Sequence, residues 1–379
     1  MRNSKHILAL LVLCAQVSGC SIAPELHLRQ SITTEIMLEA QINVNLVWET
    51  EWEAHWVFPW SESAFGEMGY QEPASMSVHM YPLDANGHHK AHSVQHFYGT
   101  STEMPISAGM HDLLFHNNDS EALIFTTKDE IKEDIYCTTR VISSGIKASD
   151  PVMTALQKST NETKAAKDSS YKQDPVSLMP DALFVLYDQR EMISDNLEDY
   201  EFIDGRYIYR IEGELEPASY IHLIQIHLLN NQGRVVGSNS GAVITGVAAG
   251  VDLQTRIATT TSVSVPMDVH FDRNTDIMAA RAITFGIPGC DPLCAESLTK
   301  APESIHFLII NMCYSNNSWK NIRVDITDAF RAHPKGGVID IALDVNDFPP
   351  ETAKTDDSGG FNALIDEWEE EEGGITIIY

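Results

Sequence analysis

The stretch Gln41-Ile42-Asn43-Val44-Asn45-Leu46 alternates polar and apolar side chains with a period of two. On an extended chain successive side chains point to opposite faces, so Ile42, Val44 and Leu46 share one face, and the stretch predicts a strand with one buried side. Working outward, comparable strand candidates occupy residues 76–81, 110–116, 122–126, 207–211, 221–229, 259–271, 305–312, 321–326 and 338–345. Turn-forming sequences separate them: Asp84-Ala85-Asn86-Gly87, Asn117-Asn118-Asp119, Asn230-Asn231-Gln232-Gly233 and Asn316-Asn317. Many short strands spaced by turns predict an all-β protein built of antiparallel sandwiches.

Composition fits cores of that kind. The chain has 379 residues, of which 43% are hydrophobic and 21% charged, enough for more than one domain. Residues 146–175 break the pattern with lysines, small polar residues and Tyr171 as their lone aromatic. This stretch reads as a linker or long loop between an N-terminal sandwich, 20–145, and a C-terminal one, 176–350. Beyond Pro349-Pro350, residues 351–379 form an acidic tail that ends in a strand-like segment. Lys and Arg number 25 against 54 Asp and Glu, a formal net charge of −29, which argues against binding nucleic acid or anionic headgroups through charge.

The N-terminus reads as an address. Arg2 and Lys5 precede an apolar run, Ile7 to Ala15, too short to span a bilayer permanently, so residues 1–19 are expected to be a signal peptide. Val17-Ser18-Gly19-Cys20 resembles a bacterial lipobox, which makes Cys20 the expected lipid attachment site. Several acyl chains, at about 0.8 kcal/mol per buried methylene, hold a protein stably on a membrane without spanning it. Ser21 in place of aspartate favours the outer membrane, with the cell surface the preferred face and the periplasmic face the alternative. No acidic export cluster follows Cys20; the chain reads Ile22-Ala23-Pro24-Glu25.

With Cys14 in the signal and Cys20 lipidated, Cys137, Cys290, Cys294 and Cys313 remain, and four cysteines allow three complete pairings. The turn-like Cys290-Asp291-Pro292-Leu293-Cys294 makes Cys290 with Cys294 the expected disulfide, while Cys313, inside an apolar run, is expected to be a buried thiol. The spacing gives a zinc site little support.

No phosphate-binding loop, H-E-x-x-H or G-x-S-x-G occurs; the serines in Gly237-Ser238-Asn239-Ser240-Gly241 have the wrong spacing for a nucleophile elbow. The expectation is therefore a protein with no catalytic residues, no cofactor and no metal. Seven of the 15 histidines lie between 79 and 116, and His88, His89 and His92 surround a hairpin turn. Neighbours on a strand point to opposite faces, so a polar hairpin is expected there rather than a metal site. Trp48, Trp52, Trp56 and Trp60 recur every four residues. Trp48 reads as core; the other three fit either core or an exposed sugar-stacking platform.

These residues carry a resemblance. Asn45-Leu46-Val47-Trp48, Met80-Tyr81-Pro82-Leu83-Asp84, Ile106-Ser107-Ala108-Gly109-Met110-His111 and Val141 after Thr139-Arg140 resemble the N-terminal domain of fimbrillin-like lipoproteins of Bacteroidetes. Residues 240–251, with Ser240-Gly241-Ala242 followed by Val243-Ile244-Thr245-Gly246, and the strand Ala282-Ile283-Thr284-Phe285-Gly286 resemble an uncharacterised, widely distributed lipoprotein family related to minor and anchor fimbrial subunits. Gly359-Gly360-Phe361, Trp368 and Ile375-Thr376-Ile377 fit the tail of that group. The resemblance implies two transthyretin-like sandwiches in tandem, a lipoprotein precursor, and a role in fimbria-like assembly or adhesion. Fimbrial subunits are the implied partners, with glycans the alternative. Related fimbriae assemble by strand addition, so Ile375, Thr376, Ile377, Ile378 and Tyr379 are expected to donate a strand to a neighbour, with Glu369 to Glu372 and Gly373-Gly374 as a solvated lead. The alternative is that this strand closes its own sandwich.

Overall fold

The computed structural model describes residues 36–47, 51–62, 66–90, 92–127, 135–142, 174–300, 304–350 and 375–378. Among them are β1 (Ile36–Val44), β2 (Ser75–Pro82), β3 (Ser93–Tyr98), β4 (Ser101–Ile106), β5 (Gly109–Asn117), β6 (Leu123–Thr127) and β7 (Ile135–Thr139). Then come β8 (Phe184–Ile193), β9 (Glu201–Ile203), β10 (Arg206–Pro217), β11 (Tyr220–Leu229), β12 (Val235–Ala248) and β13 (Gly250–Asp252). They are followed by β14 (Ser262–Met267), β15 (Val269–Asp272), β16 (Ile277–Thr284), β17 (Phe307–Tyr314), β18 (Trp319–Asp325), β19 (Gly337–Asp344) and β20 (Ile375–Ile378). Helices are short: α1 (Trp52–His55), α2 (Ala295–Lys300) and α3 (Thr327–Ala332). No helix of the described residues is long and apolar enough to cross a membrane.

The opening alternation becomes β1, where Ile42 is buried and Gln41 and Asn43 are exposed. The strand ends at Val44, and Leu46 lies beyond it, exposed. β1 pairs antiparallel with β4 and parallel with β10 in an eight-stranded sheet ordered β3-β2-β5-β8-β10-β1-β4, with β9 beside β10. β3 and β4 are consecutive in the chain yet stand at opposite ends of that order. The sheet therefore folds back on itself, and Leu38 and Ile42 from one half share a core with Val78, Leu113 and Phe115 from the other.

The second sandwich stacks β15-β16-β11-β19-β20 on β14-β12-β17-β18. Ile224, Ile226 and Leu228 of β11 point into the core between these sheets, whereas Ile221 and Leu223 join the core of the first sandwich. β16 divides in the same way, Met278 and Ala280 to one side and Ile277 and Ala279 to the other. A sheet apolar on both faces explains why β11 reads as a nearly continuous hydrophobic run. Gly336, at φ +89°, sets the turn into β19; any Cβ there would collide with the Ile221 carbonyl oxygen. A third, small sheet, β13-β7-β6, lies over Tyr81, Leu114 and Val185.

The chain is all-β, with two sandwiches in tandem and mostly antiparallel pairing. The parallel pairs β1 with β10 and β11 with β19 depart from a wholly antiparallel expectation. The division at 146–175 also needs correcting. β8 pairs with β5, and β10 with β1, so residues 184–217 belong to the first sandwich, and the strands of the second begin at Tyr220. Residues 143–173 lie outside the described set, but the chain on their two sides meets: Val141 bridges Ser177, and Ile142 N–H donates to Val176 O at 2.8 Å. The stretch is thus inserted between adjacent points of one body instead of joining two. The candidate strand at 259–271 resolves into β14 and β15.

Candidate functional site

The C-terminal strand β20 lies antiparallel on β19, Ile375 opposite Leu343, Thr376 opposite Ala342, Ile377 opposite Ile341 and Ile378 opposite Asp340. It forms one edge of the five-stranded sheet, in the arrangement in which the tail closes its own sandwich. Tyr379, the Glu369 to Glu372 run and Gly373-Gly374 lie outside the described residues, as does Cys20.

The histidines separate into distinct environments. His88 is exposed, while His89 turns inward to Asp112, 3.1 Å away, which also accepts from Arg190. On β2 and β5, cross-strand neighbours bring His79 between two partners: its Nδ1 is 2.8 Å from His92 Nε2 and its Nε2 is 2.9 Å from His116 Nε2. His116 Nδ1 is 2.7 Å from the Asn117 carbonyl oxygen, which can only accept. That contact fixes the tautomers: His116 donates from Nδ1, His79 donates from Nε2 to His116, and His92 donates from Nε2 to His79. Burial, followed by the neighbouring histidines, lowers the pKa of His79 to about 3, and burial lowers His116 to about 4. His79 and His116 are therefore neutral at pH 7. The two nitrogens of His79 face different rings and so share no common point, and among the described residues no group of three His, Cys, Asp or Glu is placed to hold a metal ion.

The tryptophans do not line up as an exposed platform. α1 is a single turn, after which the chain extends, so a spacing of four yields no stripe. Trp56 is 8% exposed and packs edge-on against Phe58 and Trp60, with ring centroids 6.1 and 5.8 Å apart. Trp60 donates to Gly66 O at 3.0 Å, and Trp52 and Trp60 both pack against the first core. Trp48 lies outside the described residues. The Cys290–Cys294 bridge is likewise absent: both are free thiols, Cys290 buried with Sγ 3.8 Å from Ser297 O and Cys294 exposed at the start of α2. Cys313 is partly exposed and Cys137 fully buried.

Sequence reading missed a cleft of about 330 Å³ where the two sandwiches meet. Residues 66–73 form one wall, the stretches flanking β5 and β8 another, and Arg281 and Ile283 of β16 complete it. These residues are far apart in the chain, so no local signal marks them.

No family model matches the chain, and no curated protein matches it. Among solved structures it is similar to a candidate adhesin from Bacteroides ovatus, at 13% identity, 80% of this chain, 86% of that one and a TM-score of 0.47. It is also similar to a second candidate adhesin from Bacteroides ovatus, at 8% identity, covering 93% and 95% with a TM-score of 0.45. The fimbrial anchor protein Mfa2 from Porphyromonas gingivalis aligns at 10% identity over 82% of this chain and 90% of that one, with a TM-score of 0.40. These neighbours are adhesin and fimbrial proteins of Bacteroidetes, the group that the sequence resembles, and at such identities the role of this chain has to come from its own residues.

Proposed function

We propose that the chain is a non-enzymatic, lipid-anchored protein of the outer membrane that takes part in fimbria-like assembly or adhesion, exchanging its C-terminal strand with a neighbouring subunit. The observation that carries this reading is the place of β20 at an edge of its sheet, held to β19 through a four-residue register. Backbone hydrogen bonds at such an edge are the same whichever copy of the strand supplies them, so an edge strand can be exchanged between copies. The lipobox ending in Cys20 supports the anchor, and the family resemblance supports the assembly role.

Variants with one added cysteine, made in a background in which Cys294 and Cys313 are serine, test the exchange. Ala342 and Thr376 face each other in register. When Ala342→Cys protein is mixed with Thr376→Cys protein under mild oxidation, strand exchange yields a covalent dimer. If the variant carrying both substitutions cross-links only within itself and the mixture yields no dimer, the strand closes its own sandwich and the assembly reading falls.

A further inference from the structure

One part of the cleft between the sandwiches is committed to structure. Asn117 Nδ2 donates to Asp119 Oδ1 and Ala182 O, both at 3.0 Å, and its Oδ1 accepts from Phe184 N at 2.8 Å. Asp119 Oδ2 accepts from Ala74 N at 2.7 Å, and Ser120 Oγ donates to Asp181 Oδ2 at 2.6 Å. These bonds hold the cleft in shape without any ligand.

The rest of its polar lining is uncommitted. The side chains of Glu67, Gln71 and Glu72 have no partner among the described residues, and Asp181 keeps its Oδ1. Arg281 is partly buried in the opposite wall; its Nε donates to Met68 O at 3.2 Å and one terminal nitrogen reaches Gly69 O at 3.5 Å. No carboxylate of the described residues lies within ion-pair distance of it, so its other terminal nitrogen has hydrogens to give. The cleft therefore offers donors from Arg281 and Gln71 and charged acceptors from Glu67, Glu72 and Asp181 around one volume.

A hydroxyl group both donates and accepts, so adjacent hydroxyls on a ring satisfy both kinds of lining at once. The volume lies at the lower end of small-ligand sites, suited to a terminal sugar ring and not to a long buried chain. Four carboxylates, Glu67, Glu72, Asp119 and Asp181, stand against the single guanidinium of Arg281 and repel sulfate, phosphate and carboxylate. We propose that this cleft binds a neutral or amino-substituted sugar residue of a glycan, with Arg281 and Gln71 donating to its hydroxyls and Glu67, Glu72 and Asp181 accepting from them. This supplies a ligand class for the adhesive role and rests on that role, although it involves neither Cys20 nor the terminal strand.

The test is a glycan array of neutral, amino and acidic glycans probed with the full chain in detergent, followed by titration of the glycan bound best. Glu72→Gln changes an exposed side chain without a bond to lose and should leave the melting temperature unchanged while weakening binding about tenfold or more, the loss expected for a hydrogen bond to a charged group. Asp181→Asn keeps an oxygen to accept from Ser120 and should weaken binding likewise, with the melting temperature checking that the cleft keeps its shape. Arg281→Lys should do likewise, with the melting temperature checking that residues 68 and 69 remain in place. The site is overturned if the wild type binds no glycan, if it binds only sulfated or carboxylated ones, or if the Asp181 and Glu72 variants bind as well as wild type. A protein that forms the exchange dimer yet binds no sugar loses this site alone; one that binds sugar without exchanging strands loses only the assembly reading.

Discussion

The side-chain amide of Gln225 donates to the backbone oxygen of His55 at 2.6 Å, across the junction of the two sandwiches. The same amide donates to Asp340 Oδ2 at 3.0 Å, and its oxygen accepts from Val57 N at 3.1 Å. Gln225 is fully buried on the face of β11 that turns toward the first sandwich, so one polar residue in an apolar strand fixes the tryptophan-bearing segment to the central sheet. Asp340 is in turn 2.9 Å from His227 Nε2.

Gln225→Leu should destabilise the protein by about 2 kcal/mol, because the backbone groups of His55 and Val57 and one oxygen of Asp340 lose their partner in a partly buried setting. Urea unfolding of both proteins measures this; a loss below about 0.5 kcal/mol would show that the segment is held by packing alone.

Acid should weaken the fold through its buried histidines. His79 and His116 titrate near pH 6.5 when unfolded but at about 3 and about 4 in the folded chain, mainly because of burial. The unfolded state thus takes up protons that the folded state refuses, and stability present above pH 6.5 is lost as pH falls toward 4. Each such histidine contributes up to about 1.4 kcal/mol per pH unit over that range. His79→Gln should flatten the fall in urea midpoint between pH 6.5 and 4.5 relative to wild type; parallel curves for the two proteins would refute it.

Thiol labelling should rank the cysteines by exposure. Cys294 reacts first with iodoacetamide in the native protein, while Cys137 and Cys290, buried and with their thiol pKa values pushed up by burial, react only on unfolding. Cys294→Ser should leave the melting temperature within about a degree of wild type, since exposed substitutions that break no bond are nearly neutral. A marked fall would point to a Cys290–Cys294 bridge after all.

Cys20→Ser should abolish incorporation of labelled fatty acid and release the chain from the membrane fraction. Surviving label would place the attachment elsewhere.

Much of the fold can be read along the chain, and its failures share a cause. β1, β2, β5, β11, β17 and β19 announce themselves by alternation or by apolar runs between turns. Most of β16 does not: only its end falls in the stretch 282–286 read as a strand, Ala279-Ala280-Arg281-Ala282 has no strand preference of its own, and the pairing partners β11 and β15 impose the extended form. β8 carries Asp188, Gln189, Arg190 and Glu191, polar enough to hide a strand whose partner is β5. The misplaced domain boundary comes from the same source, since nothing near residue 206 reveals that β10 belongs beside β1. The tryptophan spacing fitted two periodicities and the chain used neither, because burial against the central sheet decides where those rings go. The cleft is assembled from four distant stretches, and its chemistry becomes visible only when they are side by side.

The parallel pairing of β1 with β10 also sets an order of events. A chain made from its N-terminus releases Ile36 long before Tyr207, its partner in the register, exists. Until then β1 has only β4 beside it, and an apolar strand stands with one edge open. Completion of the first sandwich is thereby deferred until the polypeptide has been made almost to the start of the second, and a nascent chain halted after β7 would hold a half-built sandwich for which any passing chaperone, or any other open edge, competes.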